Sequence, residues 1–367
     1  MSKIKVLFVQ STLEKGGITN HLKLILNHLN LHLFEPEILC LSKENENTEI
    51  SIFLNWGIPI HQLHTKRWMP DFMIVQQLAY KLKQINPHVI QTFTYRPTYF
   101  IGTYFSKQYH TIGVLSSNVI QNYATSYGPI IGGFIAKREL LGLAKMNKGV
   151  AVSNYLNTMY QSHCSLMSIK NGIDVSALVD YNCNQKLHYK SQLNWDLNLH
   201  YFVAIGNFNK VKNQELLIQS FIEASIAKTH RLVLIGDGPS LPKLKQKYAH
   251  NKEIIFEGYH SNVFKFLKAA DAYVSASISE GMPLSVLEAM SVHLPCILSD
   301  IPAHVELMQD NNPVAIKCFS LSKPQELVYL FQNFKPTLIQ YTFQTAAQMT
   351  LSYEKLYLEF ASKNEPN

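Results

Sequence analysis

Short apolar runs alternate with amphipathic stretches along nearly the whole chain. Lys5 to Val9 is such a run, and it ends in the polar, glycine-containing turn Ser11 to Gly17. A continuous apolar run without alternation reads as a buried parallel strand. His21 to Leu29 follows with apolar residues at 22, 25, 26 and 29, the spacing of an amphipathic helix. Further strands are expected at Glu37 to Leu41, Val89 to Phe93, Ile112 to Leu115 and Lys148 to Val152. The last ends in Ser153, a good N-cap for a helix over 154–162. Residues 176–200 are rich in Asn, Gln and Tyr without a clear period, and read as a crossing between domains. Alternation then resumes, with strands at 201–205, 231–235, 253–256, 272–276 and 295–299 and helices over 213–224, 262–269 and 284–291. The pattern predicts an α/β protein of two domains with parallel sheets, 1–180 and 181–344.

Composition fits that reading. Of 367 residues, 47% are apolar and 16% charged, enough to build two cores. The five cysteines show neither paired spacing nor a Cys-x-x-Cys motif, so a disulfide scaffold and a zinc ribbon are set aside and a reducing cytoplasm is expected. The four apolar residues Val6 to Val9 are too few for a signal-peptide core, and no apolar run approaches the ~18 residues of a spanning helix. The greasiest stretch, Tyr127 to Ala136, is too short and too rich in Gly. Net charge is +7, and residues 1–180 carry +6 of it. That field suits an acidic partner such as phosphate or an anionic membrane face. No basic block or RNA-binding signature supports nucleic acid.

The most informative stretch is SASISEGMPLSVLEAM, 275–290. A strand ends at Ser277, Glu280 lies in the loop, and Pro283 is expected as the first helical residue, where its missing N–H costs nothing. A helix start aims free N–H groups and a partial positive charge outward, which makes an anion site. Glu280 and Glu288, bracketing that start, point to sugar hydroxyls as hydrogen-bond donors. Three further loops are candidates. Gly16-Gly17 after the first strand lets a backbone approach a phosphate. Lys212, in the loop Gly206 to Asn213, can reach a diphosphate as a point charge. Gly236-Asp237-Gly238-Pro239 is a tight strand-to-helix turn. His28 and His32, four apart, are expected to face one way on a helix, but they lack a third ligand and read as surface residues rather than a metal site.

Taken together, the chain resembles glycosyltransferase family 4, retaining enzymes of the GT-B fold within the glycosyl transferases group 1 of bacterial polysaccharide and glycan biosynthesis. The resemblance runs nearly end to end, through GGITNH (16–21), VSNY (152–155), IKNGID (169–174), GNFNKVKNQELLIQSF (206–221), LIGDGP (234–239), FEGY (256–259), AADAYVSASISEGMPLSVLEAM (269–290) and SDIPAHVEL (299–307). Its most specific part is the pair Glu280 and Glu288, with seven residues between them. It implies two Rossmann-like domains facing across a cleft, with the nucleotide-sugar donor on the C-terminal one and a glycan or lipid-linked acceptor on the N-terminal one. It also implies a last helix, about 345–362, returning to the first domain, for which Tyr353, Leu356, Tyr357 and Phe360 form an apolar stripe.

The same resemblance implies roles. Glu280 contacts hydroxyls of the donor sugar. Backbone around Gly281, Met282, Pro283, Leu284 and Ser285 holds sugar and diphosphate. Glu288 binds the ribose, and Lys212 neutralises the diphosphate. Gly16 and Gly17 let the first loop approach the donor phosphates, and the base lies near Gly238 and Tyr259. No metal and no cofactor are implied, the donor's own phosphate oxygen helping to deprotonate the acceptor. Two positions depart from the pattern. Asn207 stands where an Arg is frequent, leaving Lys212 as the phosphate clamp unless Lys210 substitutes, and Asn118 stands where a His is common. Asn118 is assigned a hydrogen bond to the sugar. The expected activity is transfer of a hexose or N-acetylhexosamine from a UDP- or GDP-sugar, UDP before GDP. The two Asn residues favour an alternative, a GT-B protein that binds a nucleotide sugar or a sister enzyme without turnover. A nucleotide-sugar epimerase on the same fold fits the donor motif less well. Lys66-Arg67-Trp68-Met69 and the apolar stretch 129–136 before Lys137-Arg138 motivate contact with an anionic membrane, at its cytoplasmic face. The competing reading packs 129–136 into the fold as an acceptor loop.

Overall fold

The structure, a computed structural model, describes residues 3–174, 183–311, 316–335 and 339–362. The chain divides into two compact units, one of residues 1–172 with 344–367, the other of residues 173–343.

The first unit holds strands β1 (Ile4–Gln10), β2 (Phe34–Cys40), β3 (Ile60–Gln62), β4 (Val89–Phe93), β5 (His110–Leu115), β6 (Lys148–Ala151) and β7 (Leu166–Ser168). They form one sheet in the order β3-β2-β1-β4-β5-β6-β7, every pairing parallel. Residues 6–10 of β1 and all of β4 are buried on both faces, which is why these runs read as continuously apolar rather than alternating. The strand order reverses between β1 and β4. The chain's last helix, Ala346–Ser362, belongs to this unit. Tyr357 stacks edge-on to Phe8 and Phe34, its hydroxyl bonds Gln91 Oε1 at 2.5 Å, and Phe360 stacks on His110.

The second unit holds β8 (His200–Ile205), β9 (His230–Ile235), β10 (Ile254–Gly258), β11 (Ala272–Ser275), β12 (Cys296–Ser299) and β13 (Ile316–Phe319), all parallel in the order β10-β9-β8-β11-β12-β13. Here the order reverses between β8 and β11. Phe202, Phe221 and Phe331 pack edge to face in its core. Both units are therefore Rossmann-like α/β layers, as the hydrophobic pattern predicts.

Three local expectations need correction. The stretch 176–200 is not an irregular crossing throughout. Residues 175–182 lie outside the described ones, but Cys183–Gln192 is a helix. Lys186 and Lys190 of that helix meet the buried Asp271, and Trp195 stacks on Tyr201 at 4.1 Å. Ion pairs rather than an apolar stripe hold the helix, so no hydrophobic period announced it. Residues 129–136 form no loop. They open the helix Pro129–Lys145. His28 ends the helix Gly17–His28, and His32 lies beyond it, so the two share no helix face.

Candidate functional site

In the second unit three loops leave the carboxyl ends of β8, β9 and β11, where the strand order reverses. That reversal is where an open parallel sheet leaves a crevice for a ligand. The loop after β8 and the turn after β9 are bonded to each other: Phe208 N–H donates to Asp237 O at 2.8 Å, and Ser240 N–H to Phe208 O at 2.9 Å. Gly238 makes this approach, with φ +148° and a missing Cβ that would lie 2.7 Å from Phe208 N. The exposed Asn207 is held by Gln214, whose Nε2 donates to Asn207 O at 3.0 Å. Gly236 N–H donates to Gly258 O at 2.8 Å, which brings the end of β10, and with it the exposed Tyr259, to the same edge.

The third loop, between β11 and the helix Leu284–Ser291, is tied to the first by Ile278 N–H donating to Val211 O at 2.8 Å. This tie brings Lys212 to Glu280: Lys212 Nζ lies 2.5 Å from Glu280 Oε1. Burial pushes the Glu280 carboxyl up, but the charge and hydrogen bond of Lys212, with a hydrogen bond from Ser277, outweigh it, and the group sits below the usual carboxylate range. Glu280 is thus a buried anion matched by one cation. Gly281, Met282 and Pro283 are buried behind it. Pro283 is the N-cap rather than the first helical residue, and Leu284 begins the helix. Val286 and Leu287 N–H groups bond back to Pro283 O at 3.1 and 3.2 Å. Leu284 and Ser285 supply the first N–H groups of the helix, where its partial positive charge lies. Tyr273 OH donates to Ser285 Oγ at 2.8 Å. Burial, with the charges of both Glu280 and Glu288, pushes the Tyr273 phenol up, so the two carboxylates share one neighbourhood with Ser285.

Three predicted site residues lie in the first unit. Gly16 and Gly17 start the helix after β1, both exposed, with nothing within 4 Å of where a Cβ would stand. Their loop is fixed by Glu44, whose Oε1 accepts from Leu13 N–H at 2.8 Å, and by Lys15 N–H donating to Asn47 O at 3.0 Å. Asn118 caps the helix Val119–Tyr127. Its Oδ1 accepts from Gln121 N–H and Tyr160 OH, and its Nδ2 donates to Tyr155 OH and Gln121 Oε1. All four bonds an amide can make are made within the unit.

Residues 200–328 match the family model Glycosyl transferases group 1. The chain superposes along 98% of its length on 98% of Anabaena HepE, solved with UDP and glucose, at a TM-score of 0.74 and 14% identity. The chain has the GT-B fold, and its residues 200–328 are similar to the group 1 glycosyltransferases. Two curated Escherichia coli proteins are similar in sequence. UDP-Gal:α-D-GlcNAc-diphosphoundecaprenol α-1,3-galactosyltransferase is 29% identical over 40% of this chain and 39% of its own length. The chain thus spans about two fifths of that enzyme. The O-antigen biosynthesis glycosyltransferase WclY is 26% identical over 67% of this chain and 71% of its own.

Two residues that the sequence reading did not single out stand at the carboxyl ends of the strands. His304 is fully buried beside Glu280, with Nδ1 2.9 Å from Ser299 O, while Ser299 Oγ donates to Ser277 O at 2.6 Å. Burial pushes the imidazole down to about 4, against the pull of Glu280, so it is neutral at pH 7. Its bonds brace the loop that carries Glu280. In the first unit, Arg96 stands at the carboxyl ends of β2, β3 and β4. Its guanidinium donates to Ser42 Oγ at 2.7 Å, Thr65 Oγ1 at 2.9 Å and Lys66 O at 3.4 Å, all neutral oxygens. A lone Arg in FTYRPTYF carries no periodic or motif signal.

Proposed function

We propose that the chain is a retaining transferase of glycosyltransferase family 4. It moves a hexose or N-acetylhexosamine from a UDP-sugar, in preference to a GDP-sugar, to a glycan or lipid-linked acceptor in cell-surface polysaccharide synthesis. The observation that carries this is the Lys212–Glu280 pair beneath the start of the helix Leu284–Ser291. A cation beside free backbone N–H groups suits a diphosphate, and the adjoining Glu280 and Glu288 suit sugar hydroxyls. In the reaction the bond from the anomeric carbon to the diphosphate breaks, and a bond to the acceptor oxygen forms on the same face. The acceptor proton passes to the leaving diphosphate. Lys212 and the N–H groups of Leu284 and Ser285 stabilise the charge that develops there. Glu280 and Glu288 orient the donor, with the base beside Gly238 and Tyr259, and Gly16 and Gly17 leave room for the phosphates. Arg96 holds an anionic group of the acceptor. The reaction needs neither metal nor cofactor, and we place it at the cytoplasmic face of the cell membrane.

The test is donor binding by isothermal titration and release of free nucleotide across a panel of UDP- and GDP-sugars, for wild type and Glu288→Ala. One donor that binds, turns over slowly and loses both with Glu288→Ala is the expected result. A donor that binds without turnover, even with acceptors from cell extract, favours a non-catalytic binding protein. The closed hydrogen bonding of Asn118 is the observation on that side.

A further inference from the structure

A cavity of about 440 Å³ opens at the amino ends of β4, β5 and β6, the opposite end of the first sheet from Arg96 and Asn118. Residues 86–88, 106–110 and 147, which directly precede those strands, line it. Its shape has local causes. The helix Asp71–Ile85 stops at Asn86, whose φ of +49° turns the chain and lets its N–H reach Leu82 O at 2.8 Å. The helix Tyr95–Tyr104 stops at Phe105, and Ser106 Oγ donates back to Gly102 O at 2.8 Å. In the turn that follows, Gln108 and Tyr109 N–H both donate to Phe105 O. That turn leaves Lys107 and Gln108 exposed and sets the Tyr109 ring against the apolar core. The His110 ring lies flat on Phe360 at 4.8 Å.

The lining side chains keep polar groups to spare. Lys5 N–H donates to His88 Nδ1 at 2.9 Å, so the imidazole is the tautomer that carries its hydrogen on Nε2. Asn147 Oδ1 accepts from Thr111 N–H at 2.8 Å and from Thr111 Oγ1 at 2.9 Å, which leaves both hydrogens of its Nδ2 over. Among the described residues, the side-chain amides of Asn86 and Gln108 make no hydrogen bond, and the Lys107 ammonium meets no carboxylate. No Asp or Glu lines the cavity.

These groups decide the class of ligand. A site for a lipid chain or a nucleobase would be lined mainly by apolar side chains, and here only Pro87 and the rings of Tyr109 and His110 are of that kind. An anion would meet one ammonium. Two helices also end here, however, and each turns the negative end of its dipole, about half a charge, toward the cavity. Together they offset the single charge of Lys107. What remains is a set of uncharged planar groups that donate and accept, and sugar hydroxyls do both. The volume lies at the small end of the range for ligand clefts, about 300–1,000 Å³. We infer that this cavity binds a short neutral saccharide, with Asn86, His88, Gln108 and Asn147 on its hydroxyls. The inference does not rest on the transferase reading, since the cavity lies at the other end of the sheet and saccharide binding needs no donor.

The experiment is saturation-transfer NMR of the full chain titrated with glucose, galactose, N-acetylglucosamine and lactose, with inorganic phosphate titrated calorimetrically as the charged control. At least one sugar should bind with about millimolar affinity, because an open polar site has little apolar surface to bury. Added salt should leave that binding unchanged. Lactose binding more tightly than galactose and glucose marks a glycan end as the occupant, and equal affinities mark a free sugar. Asn86→Gly with Gln108→Ala should weaken binding by about tenfold or more, the loss of two uncharged hydrogen-bonding side chains. Glycine accepts the φ of residue 86, and residue 108 is exposed, so the melting midpoint should stay where it is. Lys107→Ala should leave sugar binding unchanged. Glu288→Ala should leave it unchanged too, so this inference and the transferase reading fail separately. No binding of any of these sugars overturns the inference, and so does binding that the double variant retains. Phosphate binding that Lys107→Ala abolishes, in place of sugar binding, would make the cavity an anion site and overturn it equally.

Discussion

Lys212 and Glu280 hold each other at 2.5 Å although 68 residues separate them, because the loops after β8 and β11 leave adjacent strands and are bonded through Ile278 and Val211. The pair keeps a buried carboxylate charged until a ligand arrives. In the proposed reaction a diphosphate competes for the ammonium, and the freed carboxylate meets sugar hydroxyls. Lys212→Ala should lower the rate of nucleotide release by about 10²–10³-fold, the usual effect of removing one fixed stabiliser of developing charge. Glu280→Gln should cost a comparable factor. Because the two act as a unit, the double variant should lose little beyond the worse single. Steady-state kinetics of the four proteins checks this, and additive losses would show two independent groups.

Gly238 makes a sharper stability prediction. Its φ of +148° and the 2.7 Å approach to Phe208 N leave no place for a methyl group. Gly238→Ala should destabilise the second unit by about 1–3 kcal/mol and weaken donor binding, since the β8 and β9 loops must part. Gly133, exposed in the middle of the helix Pro129–Lys145 with nothing within 4 Å of a Cβ, is the counterpart. Gly133→Ala should stabilise by about 0.5–1 kcal/mol through helix propensity alone. Urea unfolding of both variants separates the cases, and equal effects of one sign would refute the assignment.

Gly238 and its neighbours also show what the chain reveals before it folds. The Glu280–Glu288 spacing, the Gly238 turn and the parallel strands are local, so periodicity and glycine placement expose them. Tyr273 and His304 are not local signals. One lies in an apolar strand run and reads as core, and only folding brings it to Ser285. The other owes its neutrality to burial beside Ser299 and Ser277, which no spacing encodes. The helix Cys183–Gln192 escaped for a related reason: its anchor, Asp271, is about eighty residues away. Asn118 was legible as a polar residue at a strand end, but its role as a cap bonded to Tyr155 and Tyr160 depends on residues 37 and 42 positions on.

Arg96 gives a prediction on the acceptor side. Its guanidinium is fixed by three neutral oxygens and offset by none of them; burial is the main pressure on its charge, Arg67 and Arg138 add to it, and Tyr95 and the Asp71 carboxylate oppose it only in part. A cation held this way gains from an anionic ligand. Arg96→Gln should raise the acceptor KM by about 10–100-fold, the range of one charged hydrogen bond, and leave donor-only hydrolysis unchanged. Kinetics with and without acceptor measures both. Loss of donor hydrolysis would place Arg96 in the donor's machinery instead.

Glu139 sets a pH dependence in the first unit. It is buried, and Tyr123 OH lies 2.6 Å from its Oε2. Burial raises its pKa from 4.5 to about 7, with the Tyr123 hydrogen bond working the other way. Between those values the folded chain keeps a proton that the unfolded chain releases. The stability tied to this proton is therefore complete below 4.5 and is lost as pH rises through about 7. The full loss is about 3 kcal/mol, the size of such a shift in a group without solvent contact. Glu139→Gln retains the partner for Tyr123 and carries no charge at any pH. Its thermal midpoint should exceed that of wild type in alkaline buffer, and the difference should shrink as the pH falls toward that of a free carboxylate. Melting curves of the two proteins across that range decide the matter. A difference that stays constant with pH would mean that Glu139 is ionised in the fold, and that a cation other than those described faces it.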